Sequence, residues 1–263
     1  MNIVVLLKQV PDTETVIKIE ADGKSIADSG IKWIINPYDE YAVEAALRLK
    51  DSQGANVTIL SLGPQRAVES VRAALAMGAD QGILVDDPAI EGSDALGKAR
   101  VLAAALQQMP YDLIFCGHRA VDDDENQVGI MVAEFLDIPH LPLAVAVELA
   151  DGRVMIERHI EGAKVQLEAQ LPALVTLGGA HAIWNPRYAS LPGIMKAKKK
   201  PLGVKKLSDL NLPPDQVGAA SAKVKLTSLE LPEPRQAGLQ VSGDTAAKAK
   251  ELARLLHEEA KVI

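Results

Sequence analysis

The chain has 263 residues, with 35 acidic side chains against 28 basic ones, a formal net charge of −7, and 48% hydrophobic but only 3% aromatic content. That balance excludes a disordered chain, and the lack of any run approaching 18 apolar residues excludes a membrane-spanning helix. A single cysteine, Cys116, excludes an internal disulfide framework and fits a reducing, cytoplasmic setting.

Residues 2–7 (NIVVLL) form a continuous apolar run, as expected for a first strand buried on both faces rather than a secretion signal. Residues 15–20 (TVIKIE) alternate and predict a short half-exposed strand. Asn36-Pro37 opens a helix, with Asn as N-cap, Pro at the first position and acids in the first turn; Ala42, Val43, Ala46 and Leu47 are its buried face. Residues 56–62 are the next strand, and Gly63-Pro64 breaks into a helix closed by Gly78. Residues 82–86 give a third strand, Ser93 caps a helix running to about Met109, and 112–116 give a fourth strand. The polar stretch 117–124 then leads into a helix from about Glu125 to Leu136.

This alternation predicts an α/β fold with a doubly wound, mostly parallel sheet. Beyond Pro142 the pattern changes to antiparallel hairpins with turns at Asp151-Gly152 and Glu161-Gly162, followed by an apolar strand at 173–177. From about 185 onward prolines accumulate and regular structure is expected to thin out, apart from a helix at about 244–260 with Asp244 in its first turn. Three parts are expected: 1–184 as an α/β domain with an antiparallel extension, 185–206 as a basic loop, and 207–263 as an arm that wraps a partner.

No phosphate-binding glycine fingerprint, zinc-protease helix or nucleophile elbow occurs. Five histidines lie scattered without ligand spacing, and no nucleophile–base pair is apparent, which argues against a self-contained enzyme. The fold still predicts a ligand site beyond the carboxyl ends of the strands. Three loops stand out there: Lys8–Thr13, Asn36–Asp39 and Gly117–Gly129. Asn126, Gln127, Val128 and Gly129 are expected to start a helix whose free amides hold a phosphate. Asp122, Asp123, Asp124 and Glu125 also complement that helix end without any ligand, and three successive aspartates raise Mg²⁺, which the lack of a Walker-type loop disfavours. Cys116 reads as a packed small hydrophobe. Tyr38 and Trp184 suit stacking, with core packing the other reading for Trp184.

Residues 169–208 contain no Asp or Glu, and within them lies NPRYASLPGIMKAKKK, 185–200. Lysine runs are usually solvated faces, and nucleic acid is the obvious functional partner. The acidic net charge and the confinement of the lysines to one loop argue against nucleic acid. Leu191, Ile194 and Met195 among Lys196, Lys198, Lys199 and Lys200 suit docking on an acidic protein surface.

On VVLLKQVPD, INPYDEYAVEAALRLK, SLGP, ALAMGAD, GHRAVDDDENQVG and NPRYASLPGIMKAKKK, the chain resembles the β subunit of electron transfer flavoprotein from end to end. The resemblance implies an α/β domain of the adenine nucleotide alpha hydrolase-like kind, in a heterodimer with an α subunit that carries FAD. That FAD, shielded on one side by the β subunit, shuttles electrons from dehydrogenases such as acyl-CoA dehydrogenases to a quinone-linked oxidoreductase. It implies AMP bound here by Leu6, Asn36, Pro37, Tyr38, Asp39, Leu62 and the stretch from Val121 to Met131, namely Val121, Asp122, Asp123, Asp124, Asn126, Gln127, Val128, Gly129 and Met131. It places partner recognition on Tyr188, Leu191, Pro192, Ile194, Met195, Lys196, Lys198, Lys199 and Lys200, with Leu191 as apolar anchor. Tyr38 falls where the family sets an aromatic near the flavin, whereas Thr13 stands where some members have Tyr. Bifurcating members bind a second FAD in place of AMP, with a Gly and small residues in the loop where this chain has Asp123 and Asn126. Those bulkier residues favour AMP, while Val128 and Pro11-Asp12-Thr13 resemble the bifurcating side. The alternatives are therefore a bifurcating β subunit and, in another class, a stand-alone adenine-nucleotide sensor.

Overall fold

The computed structural model describes residues 1–178, 182–234 and 237–263; His181 lies outside them. In chain order the strands are β1 (Asn2–Leu7), β2 (Gln9–Pro11), β3 (Trp33–Ile35), β4 (Asn56–Leu62), β5 (Gln81–Val85), β6 (Leu113–Gly117), β7 (His140–Ala144), β8 (Ala146–Ala150), β9 (Arg153–Ile160), β10 (Ala163–Gln170), β11 (Ala173–Leu177) and β12 (Leu202–Lys205). The helices are α1 (Pro37–Gln53), α2 (Val68–Met77), α3 (Ala95–Leu106), α4 (Val128–Leu136), α5 (Leu191–Ala197), α6 (Gly218–Ser221) and α7 (Thr245–Arg254).

Seven strands form one sheet in the order β12-β5-β4-β1-β6-β11-β7. All of its pairings are parallel. Alternate side chains of β1 serve opposite faces: Ile3, Val5 and Leu7 pack with α1 and α2, and Val4 and Leu6 with α3 and α4. Burying each such side chain contributes roughly 1.5–3 kcal/mol, so a one-residue slip of register would be heavily penalised. β1 runs to β4 and β5 on one side, and the chain then crosses to β6 on the other. The switch point therefore falls between β1 and β6. A three-stranded antiparallel sheet, β10-β9-β8, packs Val154 and Ile156 into the α1/α2-side core. Its first turn has Asp151 and Gly152 both at positive φ, the geometry of a tight hairpin.

The α/β fold and its parallel sheet match the sequence expectation, but several local expectations need correction. Residues 15–20 form no strand beyond an isolated bridge between Ile19 and Ile26, because no sheet neighbour pairs with them. Ser93 is not the cap of α3: the Asp94 carboxylate accepts from the Gly97 amide, and Ser93 Oγ accepts instead from the Gly218 amide. Asp244 likewise precedes α7 as its cap, accepting from the Ala247 amide. Asn36 stands at the cap position of α1 without a capping bond. α4 begins at Val128 rather than Glu125, since Asp124 (φ 55°) and Asn126 (φ 52°) adopt left-handed backbone that a helix cannot include. The first strand after α4 is not antiparallel: β7 joins the main sheet parallel to β11, burying Leu141 and Ala144. Order does not thin out at 185 either. α5 packs on α2, β12 joins the sheet beside β5, and Leu207, Leu210 and Val217 are buried. Past residue 222 the described chain is largely exposed, including α7 with Leu252 half exposed.

Candidate functional site

A cleft of about 660 Å³ opens at the carboxyl ends of β1, β4, β5 and β6, on the α3/α4 face of the sheet. Its position follows from the topology: loops diverge at the switch point and leave a crevice. Leu6, Leu60, Leu62 and Val85 make an apolar floor. Among the described residues the site-assigned Leu6, Asn36, Asp39, Leu62, Asp123, Asn126, Gln127, Val128 and Gly129 all line it.

Asp39, in the first turn of α1, ties two loops together. One carboxylate oxygen accepts from the Lys8 amide at 2.8 Å and the other from the Gly117 amide at 2.8 Å. Burial pushes its carboxyl up to about 6, against those two amide donors, which favour the ionised form. Gly117 has no room for a side chain: a Cβ would lie 2.6 Å from Tyr38 Cβ and 2.7 Å from Asp39 Oδ1. The Asn36 side chain donates to the Arg119 carbonyl (2.9 Å) and accepts from the Val121 amide (3.2 Å), so it holds the 117–129 loop instead of capping α1. Lys8 reaches Asp122 and Asp123, each at 2.7 Å, and closes the same loop against the end of β1.

The other assigned residues sit around the cleft. Pro37 is the first residue of α1. The Tyr38 hydroxyl accepts from Arg119 Nη2 at 2.8 Å, and its ring meets His118 edge-on at 4.4 Å. Asp124 pairs with Arg119 at 2.9 Å, Val121 is partly exposed, and Met131 packs against the α3/α4-side core. His118 Nδ1 donates to the Leu177 carbonyl at 2.9 Å; burial pulls its pKa below the ordinary histidine range, which favours the neutral ring. Cys116 is buried against Gly129, and burial pushes its thiol far above the usual range, so it is packing rather than a nucleophile.

At the start of α4 the first-turn amides of Val128 and Gly129 have no partner within the helix ladder, as at any helix start. Both residues line the cleft, a suitable cradle for one phosphate. Lys8, from the first of the three sequence-marked loops, also lines the cleft, as do Gly63, Pro64, Arg66, Asp86, Asp87, Ser93 and Lys98, which the sequence reading does not assign. Their signal was present: Gly63-Pro64 and Asp86-Asp87-Pro88 follow strands whose carboxyl ends share the same edge. Among the described residues no group of three His, Cys, Asp or Glu side chains is placed to hold a metal ion.

The basic loop lies elsewhere, on the α2 side. Tyr188 is 98% exposed and Leu191 74% exposed, with Ile194 and Met195 also open. Lys196, Lys198 and Lys199 are exposed, and Pro192 is the second residue of α5. Lys200 differs: its Nζ donates to the carbonyls of Leu75 and Ala79 at the end of α2.

The doubly wound sheet defines an α/β protein with a switch-point cleft and a separate apolar-cationic surface. Residues 24–210 match the family model described as the electron transfer flavoprotein domain. The electron transfer flavoprotein subunit beta of Bacillus subtilis (strain 168) is 42% identical over 264 residues, covering 100% of each chain. The subunit beta of Syntrophomonas wolfei is 38% identical over 264 residues, covering 100% of this chain and 98% of the other. That of Mus musculus is 40% identical over 261 residues, covering 97% and 99%. The chain belongs to the electron transfer flavoprotein family, on the side of its β subunits, and is an electron-transfer protein.

Proposed function

We propose that this chain pairs with an FAD-carrying α subunit and holds AMP in the switch-point cleft. We propose further that it presents the 188–200 segment to dehydrogenases that reduce the flavin, for onward transfer to a quinone-linked acceptor. The single observation that carries the nucleotide part is the convergence of Leu6, Asn36, Asp39, Leu62 and the start of α4 on one cleft. The FAD supplies the redox chemistry, taking and giving electrons one or two at a time. This chain's residues bind and orient: the Val128 and Gly129 amides suit a phosphate, Leu6 and Leu62 suit the face of a base, and Asp39 fixes the loops between them. Asp123, tied to Lys8, occupies the wall where a glycine would leave space for a larger ligand, which favours AMP over a second FAD. The setting proposed is cytoplasmic; among the described residues no helix is long and apolar enough to cross a membrane.

Leu191 is the proposed anchor for the donor. Removing a central apolar anchor typically costs 2 kcal/mol or more, roughly thirtyfold in affinity. In the heterodimer, Leu191→Ala should raise the KM for the carrier by about tenfold or more while its flavin content stays the same. Unchanged transfer kinetics would remove the docking assignment.

A further inference from the structure

The 188–196 segment is pinned to the fold on both sides by groups that take no part in the cleft. Upstream, Glu44 lies on the buried face of α1, 4% exposed. Its carboxylate accepts from Arg187 Nε at 2.7 Å, Nη2 at 3.0 Å and the Arg187 amide at 3.2 Å. Arg187 Nη2 also reaches Asp51 at 2.9 Å. Downstream, Arg72 on α2 donates from Nη1 to the carbonyls of Ala197 (2.7 Å) and Lys200 (2.6 Å), and Lys200 returns its ammonium to the end of α2. Between the pins Gly193 lies so close to α2 that a Cβ there would come 2.5 Å from the Ala76 carbonyl oxygen.

A seven-residue helix such as α5 does not hold together in water without tertiary contacts. A buried carboxylate persists only when paired, and a two-pronged guanidinium contact fixes orientation as well as charge. The cationic forks therefore set the path of the backbone, while Tyr188, Leu191 and Met195 are left facing solvent. A segment already ordered in its bound form loses less freedom when it docks.

We propose that Glu44 and Arg72 are positioning residues for partner recognition, holding the 188–196 segment in a docking-ready posture from α1 and α2. The inference rests on the docking reading above. Glu44→Gln keeps the size and one acceptor while Arg187, still paired to Asp51, remains accommodated. In the intact heterodimer, amide hydrogen exchange over 187–196 should rise by about tenfold or more, with α1 and the cleft unchanged. The KM for the carrier should rise about three- to tenfold at unchanged kcat, and adding Glu44→Gln to Leu191→Ala should cost little more. Arg72→Met, at the half-exposed pin, should reproduce the same split. Unchanged exchange and KM in both variants would overturn the proposal, as would a rise in exchange spread evenly through α1. If Leu191→Ala alone is silent, the docking reading fails and takes this proposal with it; if only the pin variants are silent, the proposal alone fails.

Discussion

Asp39 concentrates the electrostatics of the cleft in one side chain. Its carboxyl is raised to about 6 by burial, so the folded state holds its proton more tightly than the unfolded chain, whose aspartates titrate near 3.9. The sign follows: this group's contribution is best at low pH and declines as pH rises from about 4 through about 6. The loss is on the order of 3 kcal/mol and is complete above that window. Asp39→Asn removes the titration. Unfolding free energies measured across pH 4–7 should therefore show wild type losing stability relative to the variant, and parallel curves would refute the assignment. Gly117 is the second residue-scale test. A methyl there meets Tyr38 and Asp39 with no space to yield, so Gly117→Ala should lower stability by about 1–3 kcal/mol and weaken nucleotide retention. An unchanged melting temperature with full nucleotide content would count against the packing described.

Among the elements, those with a strong local signal were legible in the chain. The limits of β4 are legible because NVTILSL, with Val57, Ile59, Leu60 and Leu62 as its apolar members, ends directly at the turn residues Gly63-Pro64. The C-terminal limit of α2 followed from Gly78, which takes up φ 144°. What escaped depended on distant partners. β12 is a four-residue strand whose pairing with β5 spans more than a hundred residues, so nothing local marks it. Glu44 and Arg187 are 143 positions apart, and each alone looks like a surface charge. Ser93 and Asp94 both satisfy the cap rule, and only the returning Gly218 amide decides between them. The basic segment is legible as a whole, but the sequence does not separate Lys200, which serves the carbonyls ending α2, from its exposed neighbours. The remaining exposed lysines belong to a steering prediction. Neutralising Lys196, Lys198 and Lys199 together should lower the association rate with the donor and flatten its dependence on ionic strength. A salt profile as steep as that of wild type would show that these lysines do not steer.

For the molecule as a whole, the parallel sheet places two surfaces at different positions on one rigid frame. The switch-point cleft lies on the α3/α4 side and the pinned docking segment on the α2 side. The cleft's place at the carboxyl ends of the strands was legible from the alternation of strands and helices. Its full lining was not, because loops after β4 and β5 converge there only once the sheet is assembled. The arm beyond residue 222 buries little against this chain, consistent with a partner subunit supplying the missing contacts. In the proposed function, this carrier subunit holds AMP in its own cleft while the redox flavin belongs with the α subunit. The most direct test is to denature the purified heterodimer and count the released nucleotides. One FAD and one AMP per heterodimer is the expected result; two FAD and no AMP would contradict it.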